Sequence, residues 1–122
     1  MKHLAWLLLL AIPLHAQTPF RVVDKKFIAL ESGQLALGLL DAGMTQACIH
    51  QHTCTEGNPW MPSSMAGQFG VVIGSSTAEA YGAYLLRKHT RLWWIPTAIA
   101  MGGHGYGAYT GSRYVQWRFV IP

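Results

Sequence analysis

From Phe27 to Ile49 the chain runs FIALESGQLALGLLDAGMTQACI, without a proline, and its polar or small positions fall at Glu31, Gln34, Gly38, Asp41, Thr45 and Cys48. Steps of three and four put all six on one stripe of a helix, with Phe27, Ile28, Leu30, Leu35, Leu37, Leu39 and Leu40 around the rest. A soluble amphipathic helix has the reverse balance, an apolar stripe in a polar surround. This pattern suits a helix whose polar seam turns inward in a bundle with lipid outside. A second boundary stands at Asn58-Pro59, where the residue before proline leaves helical angles, Asn can cap and Pro fits a first turn. A helix is expected from near Pro59 or Pro62. Within it Met65 to Leu86 is long enough for a bilayer, with Gly70, Gly74, Ala78 and Gly82 in a ladder of small residues that lets another helix come close. Leu92 to Ser112 repeats the ladder with Gly103, Gly107 and Gly111, and offers Trp93, Trp94, Tyr106 and Tyr109 to an interfacial belt. Tyr114 to Ile121 alternates with period two, as a short strand or an extended surface tail does.

The pattern at the start is different. Met1-Lys2-His3 is a short positive end, Leu4 to Leu14 an apolar run, and Leu14-His15-Ala16 ends in a small residue, which together read as a signal peptide over residues 1–16, cleaved before Gln17, or as a signal anchor. The run is shorter than the about 20 residues of a comfortable span. The expected fold is therefore all-α: a small bundle of about three helices, near residues 27–49, 60–88 and 92–112, in one module over 17–122, with at least two helices membrane-embedded. Composition agrees, with 51% hydrophobic residues against 11% charged and 13 glycines. The net charge of +4 is scattered, with no basic stripe interleaved with stacking aromatics, so nucleic acid is not an expected partner. Arg87, Lys88 and Arg91 belong on the cytoplasmic side by the positive-inside rule, which puts the loop from Cys48 to Asn58 outside. A cleaved signal leaves Gln17 outside as well, so three crossing helices conflict with one of these statements. The conflict is lifted if the first helix lies along or re-enters the outer face while only the later two cross, or if the signal is not cleaved conventionally.

Two constellations carry candidate chemistry. Cys48-Ile-His50-Gln-His52-Thr-Cys54-Thr-Glu56 would, if extended, bring thiols, imidazoles and a carboxylate to one face, a ligand set for zinc or copper. The same two cysteines, the only ones in the chain, form a disulfide if the loop meets an oxidising compartment. The other constellation is polarity within the helices: Glu31 and Asp41, Glu79, and His104. Acids at bilayer depth normally face a partner or water, so these residues either hold the helices together, helped by Thr45, Ser75, Ser76, Thr77 and Thr97, or line a path for ions or protons. The run Gly102 to Gly107 lacks the strand and acidic residue of a dinucleotide fingerprint, and Ser75-Ser76 has no base at recognisable spacing, so neither a cofactor nor an enzymatic activity is expected.

Asp41-x3-Thr45, a short loop, Glu56-x-Asn58-Pro59 and two following hydrophobic helices resemble small bacterial integral-membrane proteins of uncharacterised function, over about Phe27 to Ile99. The resemblance implies a compact helical membrane module without an assigned reaction. The leading expectation is a cell-envelope or inner-membrane protein, exported by its signal, with a structural or protein-interaction role and with lipid, a second copy or a larger membrane complex as partner. The alternatives are a metal-binding envelope protein using Cys48, His50, His52 and Cys54, and a subunit of an ion or proton pathway using Asp41, Glu79 and His104.

Overall fold

The computed structural model describes residues 21–116, which form three helices and no strand: α1 (Lys25–His50), α2 (Met65–Arg87) and α3 (Ile95–Ser112). The signal-like segment over residues 1–16 lies outside the described residues, as do residues 117–122. Tyr114 to Gln116 make a turn and a bend, so the expected extended tail does not begin within the described part.

Asp24 starts α1. Its backbone is extended, and its Oδ1 accepts from Phe27 N at 2.9 Å, satisfying one of the orphan donors of the first turn. Twenty-six residues without proline carry the helix to His50. It closes in a Schellman arrangement: His52 takes a left-handed φ of 56°, its N–H reaches Ile49 O at 3.0 Å, and Thr53 N reaches Cys48 O at 3.0 Å. The next helix starts later than the Asn58-Pro59 pair implied. Asn58 Oδ1 accepts from Trp60 N at 3.0 Å and so caps a turn, while Ser64 caps α2 by accepting from Gly67 N at 3.2 Å. α2 and α3 are joined by a tight turn over 88–94, and Pro96 occupies the first turn of α3, where a missing N–H costs nothing.

α1 is the hub. α2 runs back along it, whereas α3 runs parallel to it, pairing Phe27 with Trp93, Glu31 with Thr97, Asp41 with His104 and Gln51 with Gln116; α2 and α3 touch each other little. Along its whole length α1 therefore lies beside α3. The polar seam explains the alignment. Gln34, Gly38 and Cys48 are buried and Glu31, Asp41 and Thr45 half-buried, facing Gln68, Ser76, Glu79, Thr97 and His104 on the other helices. The three largest fully buried side chains are Gln34, Gln68 and Thr97, while Ile28, Leu40, Val71, Ile73, Leu85, Leu86 and Ile99 are exposed. This distribution inverts the usual one.

The small-residue ladder of α2 does not pack against α1 or α3. Its inward stripe is Gln68, Val72, Ser76, Ala83 and Arg87, so Gly70, Gly74 and Ala78 fall on the opposite, exposed face, and a Cβ at Gly70, Gly74 or Gly82 would meet nothing within 4 Å. On α3 the expectation holds in part: Gly107 and Gly111 admit Asp41 and Met44 of α1, but Gly103 faces open space. No described helix is long and apolar enough to cross a membrane.

One end of the bundle is tied by Arg87. Its Nη1 and Nη2 donate to Asp24 Oδ1 and Oδ2 at 2.8 and 2.6 Å, and its guanidinium lies 4.5 Å from the Trp93 ring centre and 5.8 Å from that of Phe27. Trp93 is thus half-buried in this clamp; Trp94, Tyr106 and Tyr109 are exposed. The Arg87 guanidinium, followed by the Phe27 N–H, holds the Asp24 carboxyl well below the usual aspartate range. A carboxyl with a lowered folded pKa contributes stability that is present above its unfolded value, near 3.8, and lost only as pH falls through the folded value. Melting the wild type and Asp24→Asn across a pH series checks this. The variant should melt at lower temperature by a constant margin above the ordinary aspartate range, and the margin should shrink towards strongly acidic pH.

Candidate functional site

At the end of the bundle away from Arg87, the chain between α1 and α2 folds back over the seam. Gln46 Nε2 donates to Ser63 O at 3.0 Å, which pins the connection against α1. Glu56 lies within it. Its Oε1 accepts from Asn58 N at 2.9 Å, and its Oε2 accepts from Nε2 of Gln68, a residue only 1% exposed. Below, His104 Nδ1 of α3 and Asp41 Oδ2 share a hydrogen bond at 3.0 Å. Asp41, Ala42, Thr45, Glu56, Asn58, Met61, Gln68, Val72 and His104 together line a partly open pocket of about 160 Å³.

Small residues make this geometry possible. A Cβ on Gly107 would collide with the Asp41 carboxylate, and one on Gly38 would lie 2.9 Å from Val72 Cγ1 and 3.4 Å from His104 Nε2. Both glycines let a polar side chain stand where a helix backbone would otherwise be screened by methyl groups.

Deeper along the seam stands a second polar group. Thr97, fully buried, donates to Glu31 Oε1 at 3.0 Å, and Glu79 of α2 lies near the same hydroxyl. Glu31 Oε2, Gln34 Oε1, Gln68 Oε1, Ser76 Oγ and Glu79 Oε1 are buried without a hydrogen-bond partner. Such groups call for water or a ligand, because each costs about 1–3 kcal/mol when left unmade.

Of the residues singled out in the sequence, Asp41 and His104 are brought into contact, and Glu31 and Glu79 face the same interior near Thr97. Thr45 lines the pocket, but Ser75 and Thr77 turn back to their own helix, donating to Val72 O at 3.1 Å and Ile73 O at 2.8 Å. The Cys-His alternation is not extended. α1 continues through His50, so Cys48 and His50 point to different sides, and the left-handed turn at His52 brings Cys54 back to Cys48 in a disulfide with Cα atoms 5.4 Å apart. A closed disulfide offers no thiolate, and among the described residues no three His, Cys, Asp or Glu side chains group as metal ligands, so of the two alternatives for these cysteines the structure shows the bridge and not a Cys48, His50, His52, Cys54 ligand set. Closure of so short a loop contributes roughly 2 kcal/mol by restricting the unfolded chain.

Gln68 is the site residue that sequence reasoning passed over. It begins the series 68, 72, 76, 79, 83, 87 at helical spacing, a signal that was available; Glu56 was placed with the Cys and His residues of its own loop, and only the fold brings Gln68 to it. No protein-family profile matches the chain, and no curated protein or solved structure matches it.

The dependence of the Asp41–His104 pair on Gly107 can be measured. Gly107→Ala should destabilise the fold by about 1–3 kcal/mol through overpacking and shift the His104 ring resonances. Gly103→Ala, which meets nothing within 4 Å, should leave those resonances in place and gain up to about 1 kcal/mol from helix propensity. Equal effects of the two substitutions in denaturant melts would contradict the close approach.

Proposed function

We propose that this chain is a small helical membrane protein of the cell envelope, with a structural or protein-interaction role exerted through its apolar outer surface. The observation that carries the reading is the inverted burial: Gln34, Gln68 and Thr97 inside, with Ile99 70%, Ile28 55% and Ile73 52% exposed outside. In water such an arrangement forfeits the main driving force for folding, whereas in lipid the polar groups have every reason to turn inward. The Asp41, Thr45, Glu56, Asn58, Pro59 resemblance favours the same class of protein.

Helix length suits this reading better than helix composition. At 1.5 Å per residue α1, α2 and α3 are about 39, 34 and 27 Å long, against a hydrocarbon core of about 30 Å. The polar seam lowers the average apolarity of each helix, which accords with none being apolar enough to cross on its own. Insertion as a preformed or rapidly assembled bundle removes the difficulty, because the seam groups then face one another. In that arrangement the basic turn at Arg87, Lys88 and Arg91 is cytoplasmic and the Cys48–Cys54 disulfide is on the oxidising side. Residue 24 is then cytoplasmic too, so three crossing helices and cleavage before Gln17 exclude each other, and the mass of the membrane-extracted chain decides between them.

Carbonate washing and cysteine labelling test the proposal. The protein should stay with the membrane pellet, and Val23→Cys and His89→Cys should label from one side with Gly57→Cys labelling from the other, because α1 and α3 are parallel. Release of the chain by the wash, or reaction of all three positions from the same side, would sink it.

A second reading is favoured by the Glu31, Thr97, Glu79, His104 and Asp41 cluster: a subunit of a proton or ion pathway. Glu79→Gln keeps the shape and hydrogen-bonding of the side chain but removes its titration. On this reading it should abolish pH-driven flux in proteoliposomes while the protein still assembles; a variant that fails to assemble instead assigns Glu79 to structure alone.

A further inference from the structure

We propose that the pocket over the seam, between α1, α2, α3 and the connection 51–64, binds a small alkylammonium ion. Its wall holds two carboxylates, Asp41 and Glu56, with His104 as the sole basic side chain and no lysine or arginine. Asp41 commits Oδ2 to His104, which leaves its other oxygen as an acceptor. Glu56 is held in place by Asn58 N and Gln68 Nε2, so its charge is anchored at the pocket edge.

The independent sign of a ligand is Gln68. It is 1% exposed, it lines the pocket, and its Oε1 has no partner. Its amide cannot be turned round to relieve this, because a carboxylate accepts only and needs the NH2 group that faces it. A buried carbonyl oxygen on a residue that shares its pocket with two carboxylates asks for a donor that carries positive charge. An ammonium head has three N–H donors and no acceptor, matching Gln68 Oε1, Asp41 and Glu56 or Thr45.

The rest of the pocket sets the size and kind of the cation. A divalent ion needs six or more oxygen ligands, or a compact group of acids, and among the described residues no three His, Cys, Asp or Glu side chains are so grouped. Ala42, Met61 and Val72 give an apolar wall suited to a short alkyl chain, and about 160 Å³ holds only a few heavy atoms beyond the head group. Four of the five positions that carry the resemblance, Asp41, Thr45, Glu56 and Asn58, line this one pocket although they are spread over α1 and the connection.

The test is a titration of the full-length protein in a maltoside detergent, followed by NMR of the His104 ring and glutamine side-chain amide resonances. n-Propylammonium should shift the His104 and Gln68 signals saturably in the millimolar range, while 1-propanol and calcium should not. Glu56→Gln and Gln68→Leu should each weaken binding by about tenfold or more, the loss of one charge-assisted contact. Glu31→Gln, at the far end of the seam, should leave binding intact. Non-saturating shifts, equal responses to propanol and propylammonium, or saturation by calcium in place of the amine would each overturn the proposal. The ligand comparison uses the unmodified protein, so it remains decisive if a variant does not fold.

Discussion

The rest of the structure depends on one constraint: the polar seam of α1 has to be met by other polar groups away from water. Glu31, Gln34, Asp41 and Thr45 cannot be left facing hydrocarbon or a methyl-lined core, since a buried polar group without a partner costs several times what a hydrogen bond contributes. α3 answers with Thr97 and His104, while α2 turns Gln68, Ser76 and Glu79 to the interior and leaves Ser76 Oγ and Glu79 Oε1 without a hydrogen-bond partner. Because both helices are recruited by the same seam, each lies along α1, and they have little reason to touch one another. Glycine supplies the closeness: α3 brings its backbone at Gly107 and Gly111 against Asp41 and Met44, distances no larger residue would allow without displacement.

The two ends of the seam are finished in different ways. At one, Arg87 fixes the start of α1, the end of α2 and the start of α3 in a single contact set, through Asp24, Phe27 and Trp93. Breaking this bidentate pair leaves the buried Arg87 charge without compensation, so the clamp specifies how the helices are registered even where its net contribution to stability is modest. At the other end the disulfide and the Gln46–Ser63 contact hold the 51–64 connection across the bundle, and the tail is brought in by the Gln51–Gln116 pair.

The three-helix architecture and the inward seam were legible from spacing alone, because steps of three and four admit few other geometries. What was not legible was which of two signals on the same helix mattered. α2 carries both an outward ladder, Gly70, Gly74 and Ala78, and an inward series from Gln68 to Arg87; the ladder drew attention because small residues have a known use in helix packing, yet packing followed the polar series. The alternation of Cys and His likewise depended on an extended backbone. Nothing local in Cys48 to Cys54 announces that His52 takes the left-handed position usually given to glycine, which is what ends α1 and closes the disulfide. Asp24 and Arg87 lie 63 residues apart, and their pairing follows only from the fold.

The difference between the ends bears on what the interior polar groups are for. Gln68, Ser76 and Glu79 carry orphan atoms along eleven residues of α2, about 16 Å, from the open pocket towards the clamp. A pathway for ions or protons needs access at both ends, and at the clamp the route meets a 3% exposed arginine side chain packed between two aromatic rings and a carboxylate. A cation travelling along the seam would have to pass the Asp24–Arg87 pair, which closes that end of the bundle. The same pair is no obstacle to a ligand that enters from the Glu56 side and stops at Asp41. Conduction would therefore require the Asp24–Arg87 pair to open, whereas binding requires only the conformation described.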